Sequence, residues 1–213
     1  MEKTPNEGIS FSYQFKVPDY EETMQDGDFI NEIEIQIYAF APDTPSGELL
    51  VGEAIVHLFD IHHIREGNWD PFECLEAYNQ SLCDLGWFIF KQNGEFTSRY
   101  ISRMHVLSHG YIDKWTIDSI DRIAVIERRT TVPEFRGHNL TRRFYKSLAN
   151  TLRCDLLITR PFPLQYENQE QDRIPDNDEF GLTFEQAYNK LRKHYRRAGM
   201  RKLFGDWLCM LNI

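Results

Sequence analysis

The sequence of 213 residues predicts a single α/β domain, because segments with strand periodicity alternate with segments of helix periodicity. Ile33, Ile35 and Ile37 alternate with polar residues, which is the pattern of a half-buried strand. Between Phe184 and Ala198 large apolar side chains recur every three or four residues, which is the pattern of an amphipathic helix. Hydrophobic residues make up 41% and aromatic residues 14% of the chain, which is sufficient for one core and requires no second domain.

The first part of the chain is expected to form a hairpin after a polar tail. Residues 1–10 are the tail, and residues 11–17 form a first strand. The strand with the alternating isoleucines is followed by residues 43–47, Asp-Thr-Pro-Ser-Gly, which have the composition of a turn. Residues 49–59 then form a further strand. These two strands are predicted to pair as a hairpin.

A helix is predicted within residues 70–90, which contain Phe72, Leu75 and further apolar residues at helical spacing. Residues 92–94, Gln-Asn-Gly, end this pattern. The secondary structure of residues 95–118 stays open, because their pattern fits neither period.

The second part of the chain alternates strands and helices. Residues 120–132 are strand-like and precede an amphipathic helix, and residues 154–159 form a short strand of the fully buried type. Residues 160–180, rich in Pro, Asn, Gln and Asp, form a long loop of the kind that borders sites. Thr183 and Gln186 have the spacing of a capping box and begin the last helix.

The junction between the 120–132 strand and the helix after it has the features of an anion-binding turn. It reads Arg136-Gly137-His138-Asn139-Leu140-Thr141. The first N–H groups of a helix lack partners within the helix, and the helix dipole is positive at that end. The junction is therefore expected to bind an anion, with a diphosphate as the natural guest.

The run from Thr131 to Thr141 resembles the acetyl-CoA motif of the GNAT N-acetyltransferases, V-x-P-x-Y-R-G-x-G-I-G. The positions that match carry the motif's Pro, aromatic, Arg, Gly and aliphatic residues: Pro133, Phe135, Arg136, Gly137 and Leu140. Asn139 and Thr141 depart from the motif, because both stand where it has a small residue. Asn tolerates left-handed backbone angles, so the turn is expected to survive this change, although the cofactor affinity it leaves is an open question.

A second resemblance lies near the C-terminus. The run His194-Tyr195-Arg196-Arg197-Ala198-Gly199-Met200 is similar to the family's signature F-Y-x-x-x-G-F, with Tyr195 four residues before Gly199. Gly199 is also the expected stop of the last helix. Both signatures occur in the order that the family has, which favours the GNAT family over an ordinary core helix.

The resemblance implies a fold and two functional halves. The fold is a central mixed, mostly antiparallel sheet flanked by helices, in which strands 120–132 and 155–159 splay apart and hold the cofactor between them. The cofactor-binding half is residues 119–213, and residues 11–118 form a divergent half on the acceptor side. The usual helix pair at the N-terminus is not evident in the sequence, and a hairpin comes first instead.

The resemblance also implies a chemistry: acetyl transfer from acetyl-CoA, without a metal, by direct attack of an amine. Tyr195 matches the family's general acid. Glu127 is our candidate for the base, with a surface ion pair to Arg128 or Arg129 as the alternative, and Asp121 is a weaker candidate. The backbone N–H of Thr131 or Val132 would polarise the thioester. The residues expected to bind the cofactor are Thr131, Val132, Arg136, Gly137, His138, Asn139, Leu140, Thr141 and Arg142.

The balance of acidic and basic residues also differs between the two halves of the chain. Residues 1–121 hold 7 Lys and Arg against 22 Asp and Glu, whereas residues 122–213 hold 17 against 11. Arg142, Arg143 and Lys146 lie in the first turns of the helix after the junction, where they would meet phosphates. The acidic half favours a cationic amine, on a small molecule or a protein, and opposes nucleic acid. The sequence does not choose between those acceptors or fix the oligomeric state.

The remaining features give the compartment and two alternatives. No signal peptide or long apolar run is visible and the four cysteines lack C-x-x-C spacing, so we expect a cytoplasmic protein with reduced thiols and no membrane segment.

The histidine groups His57, His62 with His63, and His105 with His109 suggest a metal-dependent hydrolase, but no H-E-x-x-H motif supports it. A non-catalytic GNAT-like module that binds acyl-CoA or a protein is the more serious alternative.

Overall fold

The computed structural model describes residues 8–15, 30–78, 80–110, 117–136, 139–166 and 181–212. Seven strands form one sheet in the order β1-β2-β3-β4-β5-β7-β6. Only β4 and β5 are parallel, and every other neighbouring pair is antiparallel. The strands are β1 Ile9–Phe15, β2 Ile30–Phe40, β3 Glu48–Asp60, β4 Arg122–Thr131, β5 Leu156–Thr159, β6 Arg201–Phe204 and β7 Trp207–Leu211. The predicted class, an α/β fold with a central mixed, mostly antiparallel sheet, is confirmed.

Helices flank both faces of this sheet. They are α1 Ile61–Glu66, α2 Pro71–Tyr78, α3 Gln80–Ile89, α4 Ser98–Leu107, α5 Leu140–Leu152 and α6 Phe184–Arg197. The single helix predicted within residues 70–90 is wrong, because two helices, α2 and α3, share that stretch, and Asn79 between them lies outside the described residues. The undecided segment contains α4, which begins where the Thr97 hydroxyl accepts a hydrogen bond from the N–H of Tyr100.

The predicted hairpin is confirmed as β2 and β3. In its register Ile33 lies opposite Val56 and Ile35 opposite Ala54, so the alternating isoleucines share one buried face. The first strand begins at Ile9, two residues inside the predicted tail, and pairs with β2.

Each face of the sheet has its own hydrophobic core. On one face α5 covers the isoleucines of β2 with Phe144, Tyr145 and Leu148. On the other face α1 to α4 cover Phe59, Val125 and their neighbours. Alternation along each strand divides the residues between the two cores, as a sheet that is buried on both faces requires.

Pairing between β4 and β5 is short. It runs from Ile123 opposite Leu156 to Ile126 opposite Thr159, and β4 then continues for five residues without a β5 partner. Pairing of β4 with β3 is interrupted at the same point, because Val56 lies opposite Ile126 and Ile55 opposite Arg128. Glu127 is therefore the extra residue of a β-bulge. Because β5 ends at Thr159, the β5-facing edge of β4 has no strand partner beyond Ile126, and we call this edge the splay. The predicted divergence of the two strands stays a prediction.

The last helix, α6, begins and ends as its sequence predicts. The Thr183 hydroxyl accepts a hydrogen bond from the N–H of Gln186, and the Gln186 side chain accepts one from the N–H of Thr183. Gly199 follows the helix with φ of 112°, an angle that residues other than glycine rarely adopt. Of the predicted loop at residues 160–180, residues 167–180 lie outside the described part.

Gly52 of β3 tests the close approach of β3 to the end of β4 that has no β5 partner. A Cβ atom at this position would lie 2.6 Å from the carbonyl oxygen of Thr130, and backbone cannot yield as a side chain can. We expect Gly52→Ala to lower the free energy of unfolding in urea by about 1–3 kcal/mol. Gly86→Ala in α3 is the control, because its Cβ would make ordinary contacts of 3.4 Å or more and should cost nothing. Equal stability of the two variants would contradict the close approach.

Candidate functional site

The bulge puts Glu127 at the point where β4 leaves β5. Its side chain is 54% exposed, yet one carboxylate oxygen, Oε2, bonds to Nε2 of His57 on β3. His57 itself is only 3% exposed. The Glu127 carboxylate is therefore held within the sheet through Oε2, while the rest of the side chain is open to solvent beside the splay.

Behind His57 the hydrogen bonds continue. Its other ring nitrogen, Nδ1, lies 3.1 Å from the hydroxyl of Tyr78 at the end of α2. The Tyr78 hydroxyl donates to the Glu32 carboxylate at 3.3 Å, and Glu32 is the cross-strand partner of His57. Four side chains from β2, β3, β4 and α2 thus form one continuous chain of polar contacts, which we call the His57 chain.

The two backbone N–H groups predicted to polarise the thioester, those of Thr131 and Val132 at the end of β4, point in different directions. The N–H of Val132 donates to the carbonyl of Val51 on β3 at 2.9 Å, so its predicted role as a donor into the splay is wrong. Successive N–H groups of a strand point to opposite sides, so the N–H of Thr131 points away from β3 toward the splay. The carbonyl of Thr131 points the same way and accepts a bond of 3.1 Å from Nε of Arg136.

The start of α5 lies beyond this strand end. Asn139 adopts the left-handed conformation with φ of 58° and ψ of 12°, as the resemblance requires of that turn. Leu140 and Thr141 are both buried, so their side chains pack inward and only their backbone groups face outward at the helix end. Arg142 is exposed. Gly137 and His138, predicted to bind the cofactor with these residues, lie outside the described part of the chain.

Thr141 joins α5 to α6. Its hydroxyl lies 2.6 Å from Nε2 of His194. Burial lowers the pKa of His194, and the nearby cations Arg129 and Arg197 lower it further. The neutral ring is therefore the form that the folded chain favours at this contact.

Tyr195 lies on α6 and packs into the core under α5. Its ring meets that of Tyr145 edge-on at a centroid distance of 6.2 Å. Burial raises the pKa of the Tyr195 phenol, while the charge of Arg129 acts in the opposite direction. The guanidinium of Arg129 also lies 5.4 Å from the centre of the Phe144 ring. The phenol thus keeps its proton at neutral pH.

Glu127 and Tyr195 lie on opposite faces of the sheet. Glu127 contacts His57, whose neighbour Tyr78 packs against the core under α1 to α4, whereas Tyr195 belongs to the core under α5. Asp121, the weaker candidate for the base, precedes the first residue of β4 and binds through its N–H to Asp155 at 2.9 Å. Asp121 lies six residues before Glu127, about 20 Å along an extended strand, and so it is not part of this site.

Sequence reasoning missed three residues of the site. One is His57, which bonds to Glu127, and the other two are Tyr78 and Arg129. The one usable signal was a histidine at an inward position of a strand, since a polar residue there must have partners. Tyr78 and Arg129 carry no such signal, because their contacts depend on how α2 and α5 pack on the sheet.

Within the described residues no three His, Cys, Asp or Glu side chains are placed so that they could hold a metal ion, and this includes the histidine groups. His62 pairs with Glu66 at 3.2 Å, and Nε2 of His109 lies 2.8 Å from the Arg201 guanidinium. Among the helices that the structure describes, none is both long and apolar enough to cross a membrane.

A shallow surface depression lies elsewhere, beside α1. Arg65, Trp69 and Glu95 are among its lining residues, and none of the predicted site residues lines it. Its open shape and its distance in sequence from both signatures make the splay the better candidate for chemistry.

The chain is similar over part of its length to a solved enzyme structure. No protein-family model and no curated protein matches the chain. A solved structure of the polyamine N-acetyltransferase of Drosophila melanogaster, an enzyme that catalyses the formation of N-acetylagmatine, is similar at 14% identity with a TM-score of 0.27. The similarity covers 60% of this chain and 50% of that one, so the chain spans about half the length of that enzyme. At this TM-score the similarity carries no argument about function.

The contact between Thr141 and His194 predicts a dependence of stability on pH. A histidine with a lowered pKa in the folded state binds fewer protons than in the unfolded state, so it weakens folding as pH falls below about 6.5. We expect His194→Gln to lose less stability than the original chain between pH 7 and pH 5 in urea unfolding. An identical loss in both proteins would contradict this role of His194.

Proposed function

We propose that the chain is an N-acetyltransferase of the GNAT family, which transfers an acetyl group from acetyl-CoA to an amine. The observation that carries the proposal is the splay, where β4 continues beyond its parallel partner β5, beside the start of α5. The same stretch of sequence carries the motif resemblance, and α6 carries the second signature at Tyr195 and Gly199. Two sequence signatures and one strand arrangement thus point to the same site.

The residues present fit acetyl-CoA. Beyond Ile126 the β5-facing edge of β4 has no strand partner, so backbone groups on that edge, the N–H of Thr131 among them, are available to an extended ligand arm. The start of α5 offers backbone N–H groups and the positive end of a helix dipole to a diphosphate. Arg142 is exposed beside it, and the first turn of α5 has no acidic side chain.

The proposed roles follow from position. When bound, acetyl-CoA supplies a thioester as the acyl donor. A group lying in the sheet plane within the splay would be flanked by Glu127 from one face and by Tyr195 from the other. Glu127, with its exposed carboxylate, takes the proton of the acceptor amine, and the protonated phenol of Tyr195 gives a proton to the leaving group.

The acceptor is an amine, on a small molecule or a protein, that carries positive charge before it reacts. The excess of 22 acidic over 7 basic residues in residues 1–121 supports this choice, because it attracts cations to the acceptor side. The cysteines are all free and buried, which favours a reducing compartment such as the cytoplasm.

A second candidate is a GNAT-like module that binds acyl-CoA or a protein without catalysis. Thr141 favours it, because its side chain replaces a small residue of the motif and is committed to His194. The partly buried Tyr195, with its raised pKa and its match to the signature, favours the enzyme.

Tyr195→Phe separates the two candidates. Loss of a general acid should lower kcat by about 10²-fold, while acetyl-CoA affinity measured by calorimetry should stay unchanged. Tyr145→Phe is the matched control, because it removes a second buried hydroxyl from the same core and should leave kcat unchanged. Release of coenzyme A is measured with polyamines, aminoglycosides, amino acids and lysine peptides. Acetyl-CoA binding without turnover on any amine would favour the module.

A further inference from the structure

His57 is a histidine buried within the sheet, and burial of an imidazole is favourable only when its ring nitrogens have partners. The titratable groups that face it within the described residues are Glu127 from β4, Tyr78 from α2 and Glu32 from β2. Tyr78 packs against the hydrophobic core under α1 to α4. The His57 chain therefore runs from a half-exposed carboxylate into the protein.

The number of protons in the His57 chain is informative. Its three contacts need three protons if each is to be a hydrogen bond. When both carboxylates are ionised and the imidazole is neutral, only two are present, one on the Tyr78 phenol and one on the His57 ring. Within these three contacts one proton is therefore missing, and with the ring proton on Nδ1 its place is between Glu127 and Nε2 of His57.

We propose that His57 is a positioning residue that takes up, through Glu127, the proton that Glu127 removes from the acceptor amine. This inference rests on the proposed function and deepens it. The geometry points to a base made of two groups, with Glu127 as the part that touches the acceptor and His57 as the part that stores the proton.

The proton transfer balances. Before the step the neutral His57 ring carries its proton on Nδ1, toward Tyr78, so that Nε2 has a free lone pair. An N–H bond of the acceptor ammonium breaks and an O–H bond forms on Glu127, and the proton then moves to Nε2 of His57. The ring now donates from Nε2 to Glu127 and from Nδ1 to Tyr78, whose hydroxyl donates to Glu32. One positive charge has moved from the ammonium to the imidazolium, and no electrons are exchanged. After product release the proton returns through Glu127 to water.

The position of the bulge supports this role. Glu127 is the residue of β4 without a partner on β3, and it follows directly on the last residue that pairs with β5. The bulge thus places its carboxylate both on His57 and beside the opening of the splay. A bond that only satisfied His57 would need no opening to solvent, whereas the Glu127 side chain is more than half exposed.

Two variants and a control test the proposal by kinetics. The amide of His57→Gln can donate to Glu127 but has no site for a proton, so kcat should fall by about 10²-fold with acetyl-CoA affinity unchanged. Tyr78→Phe leaves His57 in place and removes the acceptor of its Nδ1 proton, so kcat should fall by a smaller factor, about 10-fold. Tyr38→Phe removes a hydroxyl bonded to Gln36 at 2.7 Å in the same sheet and should change neither quantity.

A spectroscopic readout does not depend on activity. The ¹⁵N resonances of the His57 ring in the full chain should shift in Glu127→Gln and in Tyr78→Phe, and should not shift in Tyr38→Phe. If the His57 ring resonances are unchanged in both Glu127→Gln and Tyr78→Phe, the proposal is overturned, whatever reaction the chain catalyses. Wild-type turnover by a folded His57→Gln protein would also overturn it and leave the proposed function intact. A chain that neither binds acetyl-CoA nor acts on any amine would refute the proposed function and with it the catalytic use of His57.

Discussion

Strands β4 and β5 stop pairing after Ile126, and the features of the candidate site follow from that loss. Unpaired backbone N–H and C=O groups in the middle of a sheet are costly unless water or a ligand satisfies them. The bulge at Glu127 begins at this point, and the start of α5 lies beyond the end of the unpaired strand. A gap that opens inside a sheet, rather than at its edge, is bordered by residues of both faces.

The two cores stabilise this gap from its two sides. The core under α5 fixes Tyr195, Arg129 and Phe144, and the core under α1 to α4 fixes Tyr78 behind His57. The proposed acid and base therefore belong to different layers of the fold and do not compete for the same space. Their environments also differ, since Tyr195 is partly buried against the core under α5 and more than half of the Glu127 side chain is exposed. Such a difference is what separates a proton donor from a proton acceptor at one pH.

The sequence predicted the elements whose signals are local. The hairpin β2–β3, the capping box at Thr183 and the glycine after α6 follow from periodicity and turn chemistry. The break between α2 and α3 was missed because their apolar pattern continues across it. The partners of Glu127 could not be predicted, because they depend on the register of β3 against β4 and on a one-residue bulge. A register is fixed by the whole sheet, and shifting it by one residue would turn His57 to the other face.

Backbone amide chemical shifts during a titration with acetyl-CoA test the central claim most directly, because they report where the ligand lies without requiring turnover. The largest changes should fall on Thr131 and on the first turn of α5, Leu140 to Arg142, with small changes in β1 and β2. The depression beside Arg65 and Trp69 is the internal comparison, because it is the rival concave surface of the described residues. Changes centred on that depression, or no change at millimolar acetyl-CoA, would contradict a cofactor site in the splay.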